Sequence, residues 1–312
     1  MSTPSALTLT PTLWSIPAAL LLGLAGLWVG HATSRLVRLF GPARPHAEPV
    51  RAAPSGVTDL PGQDSATPEP DAGEGALDEH DVGPPPPRCP HCHVALSFLR
   101  GLPAVADRDF RRRGRCPRCA QDVAPHRSTT VATVVLFALT GAAFPHHLPD
   151  WSLFGLAAVL WFVALGTLLS AIDLRVMRLP DAVVGPAYPI AGLLLAASVL
   201  TPPGGPDLYR AAQALVGMAL ITVLYWSLWR VHPRGLGFGD VKLSGLTGLY
   251  AGWAAGPVGA LVGAFWAFAA FSVVGLVLMA LRRATRTDPL PLGPFMIAAT
   301  LATVLAGRPL LP

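Results

Sequence analysis

Long apolar runs that exclude charge recur along this chain and leave it few ways to fold. Eight can be delimited: Leu13–Gly30, Thr129–Phe144, Trp151–Ile172, Ala182–Leu200, Ala211–Trp229, Val241–Trp253, Pro257–Leu281 and Leu292–Leu310. Most approach the ~20 residues an α-helix needs to cross a bilayer. In lipid the backbone must satisfy its own polar groups, which favours helices. Charged residues make up 13% of the 312, about half the share of a soluble domain. The fold expected is all-α, a polytopic membrane helix bundle of about eight spans. The sixth run is short, so it is tilted, shielded by neighbours, or joined to the seventh through Gly256-Pro257.

Arginine placement predicts the orientation. Arg35 and Arg38, Arg175 and Arg178, Arg230 and Arg234, and Arg282, Arg283 and Arg286 all fall on one side. The opposite loops FPHHLPDW, TPPGGPD and GWAAGP carry no Lys or Arg; only Arg210 and Arg308 lie on that face. The positive-inside rule makes the arginine-rich side cytoplasmic and, with an even number of spans, puts both termini outside. The first eleven residues lack Lys and Arg, so no cleavable signal peptide is expected and the first run reads as an anchor. A multi-pass protein of the cell inner membrane is the expected setting. The net charge of +5 comes almost wholly from arginine and does not point to a nucleic-acid partner.

One large cytoplasmic loop separates the first two spans. From about Gly41 to Pro87 it is rich in Pro, Ala and Gly, with nine acids between Glu48 and Asp81 against one Arg. Such a stretch cannot bury enough apolar surface to fold and is expected to be a disordered linker. Beyond it, Cys89-Pro-His-Cys92 and Cys116-Pro-Arg-Cys119 form two CxxC pairs 23 residues apart. Two such knuckles supply four thiolates for a tetrahedral, closed zinc site. A reducing compartment disfavours disulfides. The site is therefore expected to bind structural Zn2+ in a zinc-ribbon-like loop, with His91 and His93 as exposed knuckle residues. Arg111, Arg112, Arg113, Arg115 and Arg118 surround the second knuckle and suit contact with anionic membrane lipid.

Two carboxylates then stand out. Asp173 closes the third run in LLSAIDLRVMRLPD, and Asp240 opens the sixth in GLGFGDVKL. Ionisable groups at a membrane boundary are expensive to desolvate and tend to be functional. Two carboxylates that meet can share a proton and activate water for amide hydrolysis. The residues alone leave a structural alternative equally open: Asp173 paired with Arg175 or Arg178, and Asp240 as the N-cap of its helix. Asp181 reads as the cap of the helix from Ala182. Lys242, the only lysine in the chain, suits tuning the pair, holding substrate backbone, or snorkelling to the interface.

The layout resembles the prepilin peptidases, or type IV leader peptidases, of the GxGD membrane aspartic protease class. Gly237, Gly239, Asp240, Lys242 and Leu243 match the family's GxGDxKL segment, and Ile172-Asp173-Leu174 with Leu179-Pro180-Asp181 resembles its first aspartate segment. Pro291, Gly293, Pro294 and Phe295 resemble its late P-x-G-P segment. Arg113-Gly114-Arg115-Cys116 with the CxxC knuckles resembles its zinc-bearing loop, and Gly30, Ser34 and Arg35 its first turn. The resemblance implies an aspartic endopeptidase with Asp173 and Asp240 catalytic, cutting the basic leader from a prepilin or pseudopilin precursor at the cytoplasmic face. It also implies N-methylation of the new N-terminus using S-adenosylmethionine. The linker is longer than the family's, and HRSTTVAT has Ser128, Thr129 and Ala132 where a Tyr-Pro and a Glu are expected. No glycine-rich loop marks a cofactor site.

Four parts are expected: the first span and turn at 1–40, the linker at 41–87, the four-cysteine loop at 88–128 and the helix bundle at 129–312. Two other functions fit some of the same features. A zinc-ribbon scaffold of a secretion or pilus assembly system needs the cysteines but not the aspartates. A proton-coupled transporter needs carboxylates, but deeper in the bilayer.

Overall fold

A computed structural model describes residues 11–41, 87–147, 152–201, 205–233, 235–285 and 288–311. The linker expected over 41–87 lies, but for its two ends, outside them. The described chain is helical, with no strand beyond three isolated bridges. In order, the helices are α1 (Pro11–Val37), α2 (Arg108–Arg113), α3 (Arg127–His147), α4 (Leu153–Val176), α5 (Asp181–Leu200), α6 (Leu208–Val231), α7 (Phe238–Ala280) and α8 (Gly293–Ala306). Six of them (α1 and α3 to α7) are long and apolar enough to cross a membrane.

α7 is one of those six, yet it runs for 43 residues and is broken at Gly256, whose φ of 69° is not helical. Trp229 packs on Phe238 at 5.1 Å and Tyr225 on Phe268 at 5.2 Å. A straight helix would separate Phe238 from Phe268 by ~45 Å at 1.5 Å per residue, yet their partners are one turn apart on α6. The chain therefore doubles back at Gly256, and α7 is two antiparallel halves. Glycine suits the reversal because positive φ costs it little, and Pro257 pre-sets the next helical start. Of the three readings of the short sixth run, two are observed: it joins the seventh at Gly256-Pro257, and from Val241 to Trp253 every residue but Lys242 is buried by its neighbours. With α8, a 14-residue apolar helix, this makes eight apolar helical segments.

α4 is the central helix, buried along most of its length. Tyr250 of α7 reaches it, its hydroxyl donating to the Ala158 carbonyl at 2.8 Å and its ring lying 4.5 Å from Phe162. α6 and the first half of α7 meet through glycine. A Cβ on Gly217 would lie 2.6 Å from the Gly248 carbonyl oxygen, and one on Gly248 2.5 Å from that of Gly217. Without a hydrophobic drive between helices in lipid, such close backbone approach is a main source of attraction. α1 packs against α3, where Thr130 donates to Ser34 at 2.9 Å. Thr133 and Thr167 then bond at 2.9 Å between α3 and α4. The outer faces expose apolar side chains such as Leu20, Trp28, Leu193 and Phe265, as expected of surfaces that meet acyl chains.

Candidate active site

The end of α4, the start of α7 and the start of α8 converge at one end of the bundle. Asp173 lies in the last turn of α4 and is 5% exposed. The helix stops just beyond it because Met177 turns left-handed, with φ of 52°, and its N–H bonds the Asp173 carbonyl at 2.8 Å. Leu179 and Pro180 then lead into α5. Asp240 is half-buried in the first turn of α7, whose N-cap is Gly237, so Asp240 does not cap that helix. It lies within electrostatic reach of both Asp173 and the Tyr225 phenol.

A third element holds the first carboxylate. The amide of Gly293, the first residue of α8, donates to Asp173 Oδ2 at 3.1 Å. A Cβ at this position would stand 2.7 Å from that oxygen and 3.7 Å from Leu243 Cδ2, one turn beyond Asp240. Gly293 thus touches both aspartate segments. Its motif was visible in the sequence; this contact was not. Gly239 plays a comparable part on the other side, where a Cβ would lie 3.3 Å from Leu179 Cβ.

Asp181 departs from the expected capping role. α5 begins at Asp181 itself, its N-cap is Pro180, and no side chain caps it. The carboxylate instead accepts from Lys242 Nζ at 2.6 Å. Lys242 also stands over the Phe238 ring, 5.2 Å from its centre. Its ammonium is therefore committed to Asp181 rather than free to tune Asp240. Spacing along the chain gives no hint of this partnership between residues on different helices.

The four cysteines converge as well. Cys89 and Cys119 sulfurs lie 3.9 Å apart, those of Cys92 and Cys116 3.7 Å, and all four lie within 4.8 Å of one another. A tetrahedral zinc with ~2.3 Å bonds to sulfur requires edges of ~3.8 Å, so the donor set fits that ion. The knuckles share one local geometry. Cys89 N–H bonds Val94 O and His93 N–H bonds Cys89 O; Cys116 N–H bonds Gln121 O and Ala120 N–H bonds Cys116 O. His93 and Ala120, each following its second cysteine, both have φ of 57°. Burial pushes the Cys89 thiol up to about 12. At Cys116 burial is outweighed by the Cys119 and Arg118 amides and by neighbouring thiols, which bring it to about 7. His91 and His93 are exposed, and His91 Nε2 lies 3.3 Å from the Asp122 carbonyl.

This loop sits at the same end of the bundle as the aspartates. The Arg88 amide bonds Leu39 O at 2.9 Å, Phe98 stacks on Phe40 at 6.1 Å, and Gly114 packs against the Arg35 guanidinium. Where the loop enters α3, His126 bonds Thr129 at 2.9 Å and Ser128 at 3.1 Å. Burial, and then the charges of Arg175 and Arg38, hold this imidazole below its usual range.

Residues 160–279, which include both aspartates, match the type IV leader peptidase family. The chain is 30% identical over 255 residues to a prepilin leader peptidase/N-methyltransferase of Burkholderia pseudomallei (strain K96243), covering 78% of this chain and 74% of that one. It is 31% identical over 244 residues to a protein of the same name from Aeromonas hydrophila, covering 74% and 77%. A third such protein, from Pectobacterium carotovorum subsp. carotovorum, is 28% identical over 220 residues, covering 68% and 71%. No solved structure matches.

Proposed function

The chain belongs to the type IV leader peptidase family, and we propose from that membership that it cuts the leader from prepilin-like precursors, with Asp173 and Asp240 as the catalytic pair. The meeting of the two aspartate segments at Gly293, which bonds Asp173 and lies against Leu243 one turn beyond Asp240, carries the assignment. One carboxylate, ionised, takes a proton from water as the water oxygen bonds to the scissile carbonyl carbon. The other, protonated, donates a hydrogen bond to the carbonyl oxygen. Its proton then passes to the leaving nitrogen as the C–N bond breaks. The two carboxylates titrate as a unit. The Gly293 amide orients Asp173 throughout. Gly237 and Gly239 shape the turn that presents Asp240, and Lys242 braces it.

The arginine distribution favours a cytoplasmic site in the inner membrane, where a precursor would present its leader. Cys89, Cys92, Cys116 and Cys119 would hold a structural zinc, which supplies folding energy to the loop and no open coordination position. The exposed Arg112, Arg113, Arg115 and Arg118 suit anionic lipid headgroups better than nucleic acid. Four parts follow on this reading: a first span at 1–40, a linker at 41–87, a zinc loop at 88–128 and a protease bundle at 129–312. The relatives' second activity extends to this chain as a proposal, with the freed amine as acceptor and S-adenosylmethionine as methyl donor. Ser128 and Thr129, among the residues that stand where the family's Tyr-Pro and Glu are expected, are engaged with His126.

The aspartates' position at one end of their helices disfavours a transporter, and the meeting of their two segments at Gly293 is unneeded in a scaffold. The test is cleavage of a prepilin by membranes holding Asp173→Asn or Asp240→Asn protein. Each variant should accumulate normally and lose at least ~100-fold in rate, the lower range for acid–base groups. Near-normal cleavage by either would remove that residue from the mechanism.

A further inference from the structure

We propose that Asp181 and Lys242 are positioning residues, whose ion pair clamps the start of α5 to the start of α7 and sets the separation of Asp240 from Asp173. The inference rests on the peptidase reading for its catalytic consequence, and on the geometry alone for the clamp. Lys242 is tied to α5 at both of its ends. Its ammonium donates to Asp181 Oδ1 at 2.6 Å, and its carbonyl accepts from the Tyr188 hydroxyl. One turn further on, Gly245 lies against the same Tyr188 hydroxyl, and before the pair Leu179 lies against Gly239. These contacts bracket Asp240 on the α7 side. On the other side they begin at Leu179, within the short turn 177–180 that follows the helix carrying Asp173.

The pair is not a packing element. Its side chains are 37% and 64% exposed, and exposed ion pairs add little to stability. Its effect belongs in geometry: small misplacements of reacting groups are costly to rate even when the fold is intact. The single lysine of an arginine-rich chain suits the place. A compact ammonium fits between the Phe238 ring and one carboxylate oxygen, where a planar fork would seek two acceptors.

The test uses the full-length protein in vesicles with a prepilin substrate. Lys242→Asp and Asp181→Lys should each lower kcat by about 100-fold with little change in KM, as expected for misplaced groups. The double variant carrying both reversals should regain at least about tenfold of that loss, because the pair is restored in the opposite sense. Lys242→Arg, which keeps the charge, should stay well above Lys242→Asp. A second readout needs no activity. Leu179→Cys with Gly239→Cys should cross-link readily in the otherwise unaltered chain, poorly with either reversal added, and readily again with both. Zinc content and membrane insertion should match the parent throughout. If the swap is no better than the single reversals in rate and in cross-linking, the clamp is refuted. If cross-linking follows the charges while no variant, nor the parent, cleaves, the clamp stands and the peptidase reading fails.

Discussion

At position 293 the smallest possible change reaches the chemistry. The methyl of Gly293→Ala would stand 2.7 Å from Asp173 Oδ2, so either the carboxylate or the α8 backbone must move. Both movements shift the carboxylate relative to Asp240. We expect a loss of about 10- to 100-fold in kcat, with KM nearly unchanged, since the substituted atom faces Asp173 rather than substrate. Steady-state kinetics on purified protein will show this; equal cleavage by Gly293→Ala would mean the amide contact is dispensable. The sequence marked Asp173 and Asp240 because a carboxylate beside an apolar run is conspicuous. It did not mark the Gly293 contact, because a backbone amide has no side chain to read. Nor did it pair Asp181 with Lys242: that bond joins two helices whose registry emerges only from packing.

Among the elements, α6 and α7 are held by an interface with no room for a Cβ. Gly248→Leu should therefore open the helix pair that presents Asp240. Overpacking of this kind costs about 1–3 kcal/mol, and a lower unfolding temperature in detergent, with cleavage lost at a lower temperature than for the parent, is the expected result. Hydropathy exposed these helices because lipid demands length and apolarity. It left the reversal at Gly256 ambiguous, since one long helix and two antiparallel ones have the same composition. The cysteine loop shows the opposite case, where CxxC spacing was enough to predict that four sulfurs meet. About one zinc per chain should copurify and be absent from a Cys89→Ser, Cys116→Ser double variant, as metal analysis will show. Because the Cys89 thiol must give up a proton to bind metal, zinc should be held more weakly as the pH falls. Retention of zinc by the double variant would exclude the four-sulfur site.

For the whole molecule, orientation decides whether substrate can arrive. Arginine placement predicts that Gly205, between α5 and α6, faces outward and Gly235, between α6 and α7, faces the cytoplasm. A reporter enzyme active only outside the cytoplasm should work when fused at Gly205 and be silent at Gly235; the reverse pattern would invert the site. The α1–α3 contact also has a consequence in time. About 90 residues separate the end of α1 from the start of α3, and at ~5–20 residues per second the ribosome needs on the order of 5–20 s to cross that interval. Gly26 and Gly30, which receive Phe137 and Thr133 in the finished protein, have no partner until then. The first span must therefore wait in the bilayer with its contact face open, dependent on surrounding lipid or on the insertion machinery until the helix that closes it has been made.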